Sequence, residues 1–357
     1  NIRLLTYTTS NATMKIDTKS PVMITGGTGY VAGPIVKELL DAGLTVHCPV
    51  RSPDNKEKLK YLTDIADASK GSIKFFKADL GDEGSYLESM KGCSVVIHTA
   101  SPFVLDVTPD KVEEVLFTPA VNGTRNVLDS VSKTPTVKRV VLTSSCFAVL
   151  TDAADCRDAP NGVVTEECWN TTASKTYNPY ARSKLLAEKE AWKIADAQTH
   201  YKLVVINPAW VFGPGLKVHP SSESYVFAKK LGDGTYKSGV PDIGTFIVDV
   251  RDVAKAHMGA AFEENAEGRY ITMGHNASIV DFGKTLMAQE KYKEYPIPTT
   301  SPPWFLLWLI APYIGMTRTA IYRGCGITAT LDNSKSVKDL KLTYHSMADT
   351  FSDMFDQ

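Results

Sequence analysis

The sequence predicts an α/β fold: a doubly wound parallel sheet with a smaller, discontinuous part drawn largely from the C-terminal region. Three observations predict it. Short apolar strand-like runs alternate with helical segments as far as Asn207. A glycine-rich turn, Gly26-Gly27-Thr28-Gly29, closes the first of those runs. Beyond Pro208 the alternation stops and turn chemistry takes over.

Val22–Thr25 is a short apolar strand that runs into the glycine turn. Residues 30–42 follow with helical spacing and stop at Gly43, a residue suited to ending a helix. Residues 44–50 read as the second strand, 55–68 as the second helix and 73–77 as the third strand. A short helix at 84–90 precedes a fourth strand, Val95–His98. The long segment 110–132 is helical, and Arg139–Thr143 is the fifth strand. A helix over 179–197 leads to a sixth strand, 203–206, ending at Asn207-Pro208. Gly213-Pro214-Gly215, Pro220-Ser221-Ser222 and the segment 232–244 then supply loops. Residues 246–248 and Val250–Phe262 read as a strand and helix returning to the sheet, with another strand at 269–273. The division that follows is an N-terminal extension at 1–18, a dinucleotide-binding domain at 19–212 with 246–275, and a substrate-binding part at 213–245 with 276–357.

At 357 residues, 43% hydrophobic and 22% charged, the chain is long enough to bury a core and has an ordinary globular composition. A formal net charge of −1 without a basic block argues against a nucleic-acid partner. The six cysteines form no CxxC pair and no ligand spacing with histidine, which reads as a reducing, cytoplasmic setting with no structural metal. Residues 1–13 lack the apolar core of a signal peptide, and Met14 reads as a natural start. An expression remnant, an upstream extension and a weak targeting segment stay open there. The apolar run 304–311 is shorter than the roughly 20 residues a spanning helix needs, and Pro312 follows it. We read it as a helix packing over the substrate pocket, with interfacial lipid contact as the minority reading.

The turn residues Gly26, Thr28, Gly29, Tyr30 and Val31 lie between a strand and a helix. Glycines there accept positive φ and let backbone N–H groups approach a pyrophosphate, and the helix N-terminus adds attraction. The second strand ends in Val50-Arg51 with no carboxylate to hold a ribose 2′-hydroxyl, and Lys58 follows two turns later. Arg51 offers a fork of donors to a phosphate dianion, so NADP(H) is the expected cofactor. Tyr180 and Lys184, four apart on a predicted helix, share a face. A neighbouring ammonium and an oxidised nicotinamide ring would both favour phenolate at Tyr180 and lower its pKa from about 10. Thr143, Ser144 and Ser145 end the fifth strand at the carboxyl edge of the sheet, where ligands bind.

These residues carry a resemblance. With Val50-Arg51-Ser52-Pro53, Lys77-Ala78-Asp79-Leu80, His98-Thr99-Ala100-Ser101-Pro102, Asn122-Gly123-Thr124 and Asn207-Pro208-Ala209, the chain resembles the extended short-chain dehydrogenase/reductases. Within them it is similar to the branch of dihydroflavonol reductases, cinnamoyl-CoA reductases and related carbonyl reductases. The resemblance implies a Rossmann fold and a catalytic set of Ser145, Tyr180 and Lys184, with Ser144 as the substitute for Ser145. It also implies that Arg51 and Lys58 take the 2′-phosphate and that Asp79 and Leu80 flank the adenine. Thr99, Ala100 and Ser101 would line the cofactor path, and Pro208, Ala209 and Val211 would hold the nicotinamide end. Leu150 stands where plant dihydroflavonol reductases carry a flavonoid-reading asparagine, and the Asn-Trp-Tyr-Cys-Tyr signature of cinnamoyl-CoA reductases is replaced around Ala173–Tyr180.

The expected reaction is reversible reduction of a ketone or aldehyde with NADPH, on a small apolar or aromatic substrate, by a monomer or homodimer without stable membrane insertion. A hydroxysteroid dehydrogenase or a sugar-nucleotide epimerase or dehydratase is the alternative on the same scaffold. Ser145-Cys146-Phe147 lacks the Ser-x-Thr of epimerases. A non-catalytic NADP-sensing regulator would not need the Tyr/Lys pair. Asp152, Asp155, Asp158, Glu166 and Glu167 read as a solvated loop, and His98 as a packed strand residue. Phe103, Phe147, Trp210, Tyr225 and Phe227 are expected to border the site.

Overall fold

The structure, a computed structural model, describes residues 4–9, 12–17, 19–102 and 108–357. Its centre is a seven-stranded parallel sheet. The strands of the first half are β3 (Val22–Thr25), β4 (Thr45–Val50), β5 (Ser72–Lys77), β6 (Val95–His98) and β7 (Arg139–Thr143), followed by β8 (Lys202–Pro208) and β11 (Gly268–Thr272). Their spatial order is β11-β8-β7-β6-β3-β4-β5. The order reverses between β3 and β6, so the glycine turn after β3 opens at the switch point where α/β sheets bind ligands.

Strand side chains alternate between two cores, as a pleat with helices on both faces requires. Val22, Ile24, Val95, Ile97, Val141, Val204 and Ile206 pack against α1 (Ala32–Asp41), α2 (Lys56–Asp67) and α7 (Val250–Phe262). Met23, Val96, Val140, Leu142, Leu203 and Val205 face α3 (Leu87–Met90), α4 (Thr118–Ser132) and α5 (Pro179–Asp196). Sequence reading and structure agree on these elements to within a few residues. A π-turn at Glu113–Phe117 leads into α4, so the helix foreseen over 110–132 is not uniform.

One strand goes elsewhere. β10 (Gly244–Asp249) does not return to the main sheet; it pairs in parallel with β9 (Trp210–Phe212) and antiparallel with β12 (His275–Ser278). An apolar run such as Phe246-Ile247-Val248 specifies burial but not the sheet that buries it. α7 does pack against the main sheet and α1. The small sheet adjoins an aromatic cluster, Phe212, Tyr225, Phe282 and Phe351, that joins α6 (Glu223–Gly232), α8 (Ile279–Met287) and α12 (Met347–Asp356). α9 (Trp304–Ile310), α10 (Arg318–Gly324) and α11 (Ser334–Asp339) complete the C-terminal part. Within 1–18, β1 (Leu4–Thr9) and β2 (Ala12–Asp17) pair antiparallel as a separate hairpin, which the Thr/Asn-rich composition did not signal.

The helix foreseen at 304–311 is present, but it does not cover the pocket in the expected way. Leu307 is its buried residue, while Trp304, Phe305 and Leu309 are exposed. Among the described residues no helix is long and apolar enough to cross a membrane.

Gly283 in α8 marks the tightest contact between the C-terminal elements: a Cβ there would sit 1.8 Å from the Pro298 carbonyl oxygen. Gly283→Ala should therefore destabilise the fold by about 1–3 kcal/mol, read as a lower urea midpoint; an unchanged midpoint would mean that the 297–298 segment moves freely.

Candidate active site

The carboxyl edge of the main sheet opens into a cavity of about 2180 Å³, larger than the roughly 300–1,000 Å³ of ordinary small-molecule sites and roomy enough for a dinucleotide with a second ligand. Every residue expected to bind cofactor or act in catalysis lines it: Gly26, Thr28, Gly29, Tyr30, Val31, Arg51, Lys58, Asp79, Leu80, Thr99, Ala100, Ser101, Thr143, Ser144, Ser145, Tyr180, Lys184, Pro208, Ala209 and Val211. Lining is shared, but the side chains are engaged differently.

At the turn, Gly26 has φ +68°, and a Cβ on it would come within 2.9 Å of Thr99 Oγ1 and 3.1 Å of the Ala100 nitrogen. Glycine is thus required twice over, by backbone conformation and by the neighbouring loop. Val31, at the N-terminus of α1, has no side-chain cap, and the first turn holds no acid. The helix end keeps its positive field for a ligand. Tyr30 is buried, donates its hydroxyl to the Gly213 carbonyl at 2.7 Å and packs edge-on against Tyr225. Its side chain thus links the turn to Gly213 and Tyr225, which leaves the backbone as its means of touching a phosphate.

The loop carrying Thr99 and Ala100 is pinned by Thr25. Thr25 Oγ1 accepts from the Thr99 and Ala100 amides at 3.1 and 3.0 Å and therefore donates to His98 Nδ1 at 2.8 Å. Burial, then the nearby Lys184 charge, push the His98 pKa down to about 3, so His98 is a neutral strand residue. His257 fixes Thr143 in the same manner. Its Nδ1 donates to the Val253 carbonyl and its Nε2 accepts from Thr143 Oγ1, both at 2.7 Å. Asn126, which the sequence reading passed over, holds the Asp79–Gly84 loop by donating to the Leu80 and Asp82 carbonyls and accepting from the Gly84 amide. Arg51 and Lys58 are exposed at the cavity's far end, beside Ser52 and Asn55.

α5 starts at Asn178, which adopts φ +49° and accepts from the Ala181 amide. One turn beyond Tyr180, Lys184 places its Nζ 5.7 Å from the centre of the Tyr180 ring, and the Phe147 ring stands edge-on to Tyr180 at 6.0 Å. Burial raises the Tyr180 pKa above the ordinary tyrosine value. Burial also lowers Lys184 to about 8, with Glu188 opposing that fall. The expected lowering of Tyr180 by its lysine is thus not found in the protein alone, because desolvation of the phenolate outweighs the ammonium. The two serines part company. Ser144 donates its hydroxyl to Glu188 Oε2 at 2.5 Å, whereas Ser145 Oγ accepts from the Phe147 amide and keeps its proton available.

Of the five carboxylates expected on a solvated loop, Asp158 and Glu167 are exposed, but Asp152, Asp155 and Glu166 are engaged by the protein. Asp152 accepts from Tyr177 and from Arg323 Nε at 2.8 Å, and Asp155 binds Arg323 and Thr172. Glu166 accepts from the Ile271 amide, with burial raising its pKa. Arg323 thereby clamps α10 to the loop after β7, and Met316, Thr317 and Ala320 form the cavity wall expected of 304–311. Phe147 and Trp210 line the cavity. Tyr225 and Phe227 instead pack in the aromatic cluster, and Phe103 lies outside the described residues.

A glycine cradle at the sheet switch point, joined by one cavity to a half-buried tyrosine and a buried lysine one helical turn apart, defines the class: an oxidoreductase built around a dinucleotide. The chain belongs to the 3-beta hydroxysteroid dehydrogenase/isomerase family, whose profile matches residues 23–271, within the extended short-chain dehydrogenase/reductases. It is 38% identical over 295 residues to cinnamoyl-CoA reductase 1 of Arabidopsis thaliana, covering 80% of each chain. It is 34% identical over 292 residues to an anthocyanidin reductase of Vitis vinifera, covering 79% of this chain and 83% of that one. The crystal structure of yeast methylglyoxal/isovaleraldehyde reductase Gre2 complexed with NADPH superposes with TM-score 0.76 at 29% identity, over 94% of this chain and 97% of that one.

Thr25→Val keeps the shape but leaves two amides and His98 Nδ1 without a partner. It should cost about 1–3 kcal/mol of stability by urea unfolding; a neutral effect would show that the loop at 99–100 is held by other means.

Proposed function

We propose that this protein reduces a ketone or aldehyde to an alcohol, reversibly, with NADPH, and that Tyr180, Lys184 and Ser145 carry the reaction. One observation carries the proposal: Tyr180 and Lys184 line the same cavity as the glycine turn, from the same face of α5. The fit to a dinucleotide is supported by the cradle at Gly26, which a Cβ would fill, and by the uncapped start of α1. NADPH over NADH is supported by Arg51 and Lys58 at the tip beyond β4, and by the NADPH bound to the yeast relative. We assign cofactor binding to 19–212 with 246–275 and substrate recognition chiefly to 213–245 with 276–357. The six free cysteines support a reducing, cytoplasmic setting.

When bound, the nicotinamide supplies the hydride. Ser145 holds the carbonyl oxygen with its hydroxyl, which fixes orientation and steadies developing charge. Tyr180 gives its proton to that oxygen in reduction and takes it back in oxidation. Its raised pKa keeps it protonated, which suits the acid role. Lys184, as ammonium, stabilises the phenolate left behind and can hold a ribose hydroxyl. Phe147, Leu150, Trp210, Ile243, Phe246 and Met316 give the substrate end an apolar lining, which favours apolar or aromatic carbonyls. A hydroxysteroid is the second reading, favoured by the family's description.

Tyr180→Phe should lower kcat by about 10²–10⁴-fold while NADPH still quenches protein fluorescence with near-native affinity. Ser145→Ala should behave similarly and Ser144→Ala should retain most turnover. A fully active Tyr180→Phe would end the mechanism. The cofactor choice is tested separately: Arg51→Ala with Lys58→Ala should weaken NADPH about 10–100-fold and leave NADH nearly unchanged. Equal losses for both would place the 2′-phosphate elsewhere. A screen of aldehydes, diketones, flavonoids and steroids for NADPH oxidation identifies the substrate class.

A further inference from the structure

α5 carries a third polar residue in register with its catalytic pair. Tyr180, Lys184 and Glu188 recur at four-residue steps, which puts them on one face. Glu188 is 1% exposed. Its Oε2 accepts from Ser144 Oγ at 2.5 Å and Asn207 Nδ2 at 2.8 Å, and its Oε1 accepts from Arg269 Nε at 2.6 Å. Asn207 Nδ2 also donates to the Ser145 carbonyl at 3.1 Å. One carboxylate therefore ties the ends of β7 and β8, on either side of Ser145, to the helix bearing Tyr180 and Lys184.

Stability alone is a poor reason for this arrangement. Arg269 donates onward to the Glu166 and Cys168 carbonyls, and its Cζ lies over the Trp169 ring, 3.9 Å from the ring centre. Yet its Nη2, the Asn207 Oδ1 and the Thr272 hydroxyl are buried without hydrogen-bond partners. A buried pair with orphaned atoms is no more stabilising than an apolar replacement of the same volume. What an apolar replacement could not supply is negative charge behind Lys184. The groups facing Lys184 are Tyr180 and Glu188 on its own helix and His98 from β6, which burial keeps neutral. Those facing Glu188 are Lys184 and the Trp192 indole N–H, which donates to Oε1 at 3.4 Å, on its own helix, and Arg269, Ser144, Asn207 and the Cys146 thiol, itself driven up by burial, from elsewhere. Arg125 of α4 is engaged elsewhere, with Glu190.

We propose that Glu188 is a positioning residue of this site: it keeps Lys184 an ammonium, turns the Ser144 hydroxyl away from the ligand space and sets the backbone that presents Ser145. The inference rests on the reading of Tyr180 and Lys184 as the proton-handling pair. It concerns a state of Lys184 that exists without cofactor, and it can be tested there.

The experiment is competitive acetylation of the cofactor-free protein with trace acetic anhydride as pH is raised, read at Lys184 by peptide mass spectrometry. In the native chain Lys184 should begin to label as pH passes about 8. In Glu188→Gln, labelling at neutral pH should rise about tenfold, the change made by one pKa unit, and the alkaline limb of kcat should move to lower pH. Glu188→Asp, which keeps the charge, should restore both. Because Glu188→Gln leaves Arg269 unpaired, the double variant Glu188→Gln/Arg269→Gln removes both charges and keeps the test open if the single variant does not fold. The same labelling shift is expected in it. Native labelling of Lys184 in a folded double variant would overturn the inference while leaving carbonyl reduction intact. Failure of the native protein to reduce any carbonyl with NADPH would instead overturn the functional reading, whatever the labelling shows.

Discussion

The site is organised by the burial of one ammonium group. Lys184 is 8% exposed, and taking a charge out of water is costly unless the surroundings compensate. Tyr180 stands one turn before it and Glu188 one turn after it, so the helical repeat itself supplies both the acid and the counter-charge that we propose for the reaction. Glu188 reaches on to Ser144, Asn207 and Arg269. The sheet edge, the edge strand β11 and the loop before α5 are thus all coupled to the position of that lysine. A shift of α5 by one residue would turn all three side chains about 100° away from the sheet edge, and the set would separate from its partners.

Around this group the fold uses polar contacts that do not titrate in the working range. His98 and His257 are both buried, with pKa values pushed down to about 3 and about 4. Each therefore stays neutral and accepts from a threonine that ends a strand. Thr25 and Thr143 in turn fix the loops on either side of the ligand space. Two histidines near a catalytic centre would ordinarily suggest proton transfer. Here burial removes that role and leaves them as fixed acceptors, so Lys184 is the group in the centre of the site poised to change charge near neutral pH.

How far the sequence disclosed this depends on the range of the interactions. The strand and helix order was legible because each element is encoded locally, and the glycine turn and Tyr180/Lys184 because their spacing is short. β10 was assigned to the wrong sheet because an apolar triplet carries no record of its partner. Asp152 and Asp155 looked solvated because their partner, Arg323, lies 171 and 168 residues away. Arg269 and Glu188 are 81 residues apart, and nothing in either neighbourhood announces the pair. The one available signal was a carboxylate four places after Lys184 on the same helix face, in a position too buried for an ordinary surface acid. Tyr30 and Ser144 were legible as site residues, but their hydroxyls are already spent on protein partners. That allegiance is decided by a carbonyl and a carboxylate far away in the chain, at Gly213 and Glu188.

The two ends of the cavity work in different electrostatic regimes, and this separates holding from reacting. Arg51 and Lys58 are exposed, so their attraction for a phosphate is screened by salt within about 8–10 Å at ordinary ionic strength. Lys184 and Glu188 are shielded from solvent, and their interaction is little affected by salt. In the proposed reaction, the charges assigned to holding the cofactor's phosphate and those assigned to proton handling therefore respond differently to salt. Both sets of residues line one cavity, floored by the segments that follow β3, β6 and β7. The clamp of Arg323 on Asp152 and Asp155 ties the C-terminal wall of the cavity to the loop after β7, by contacts separate from the α5 network.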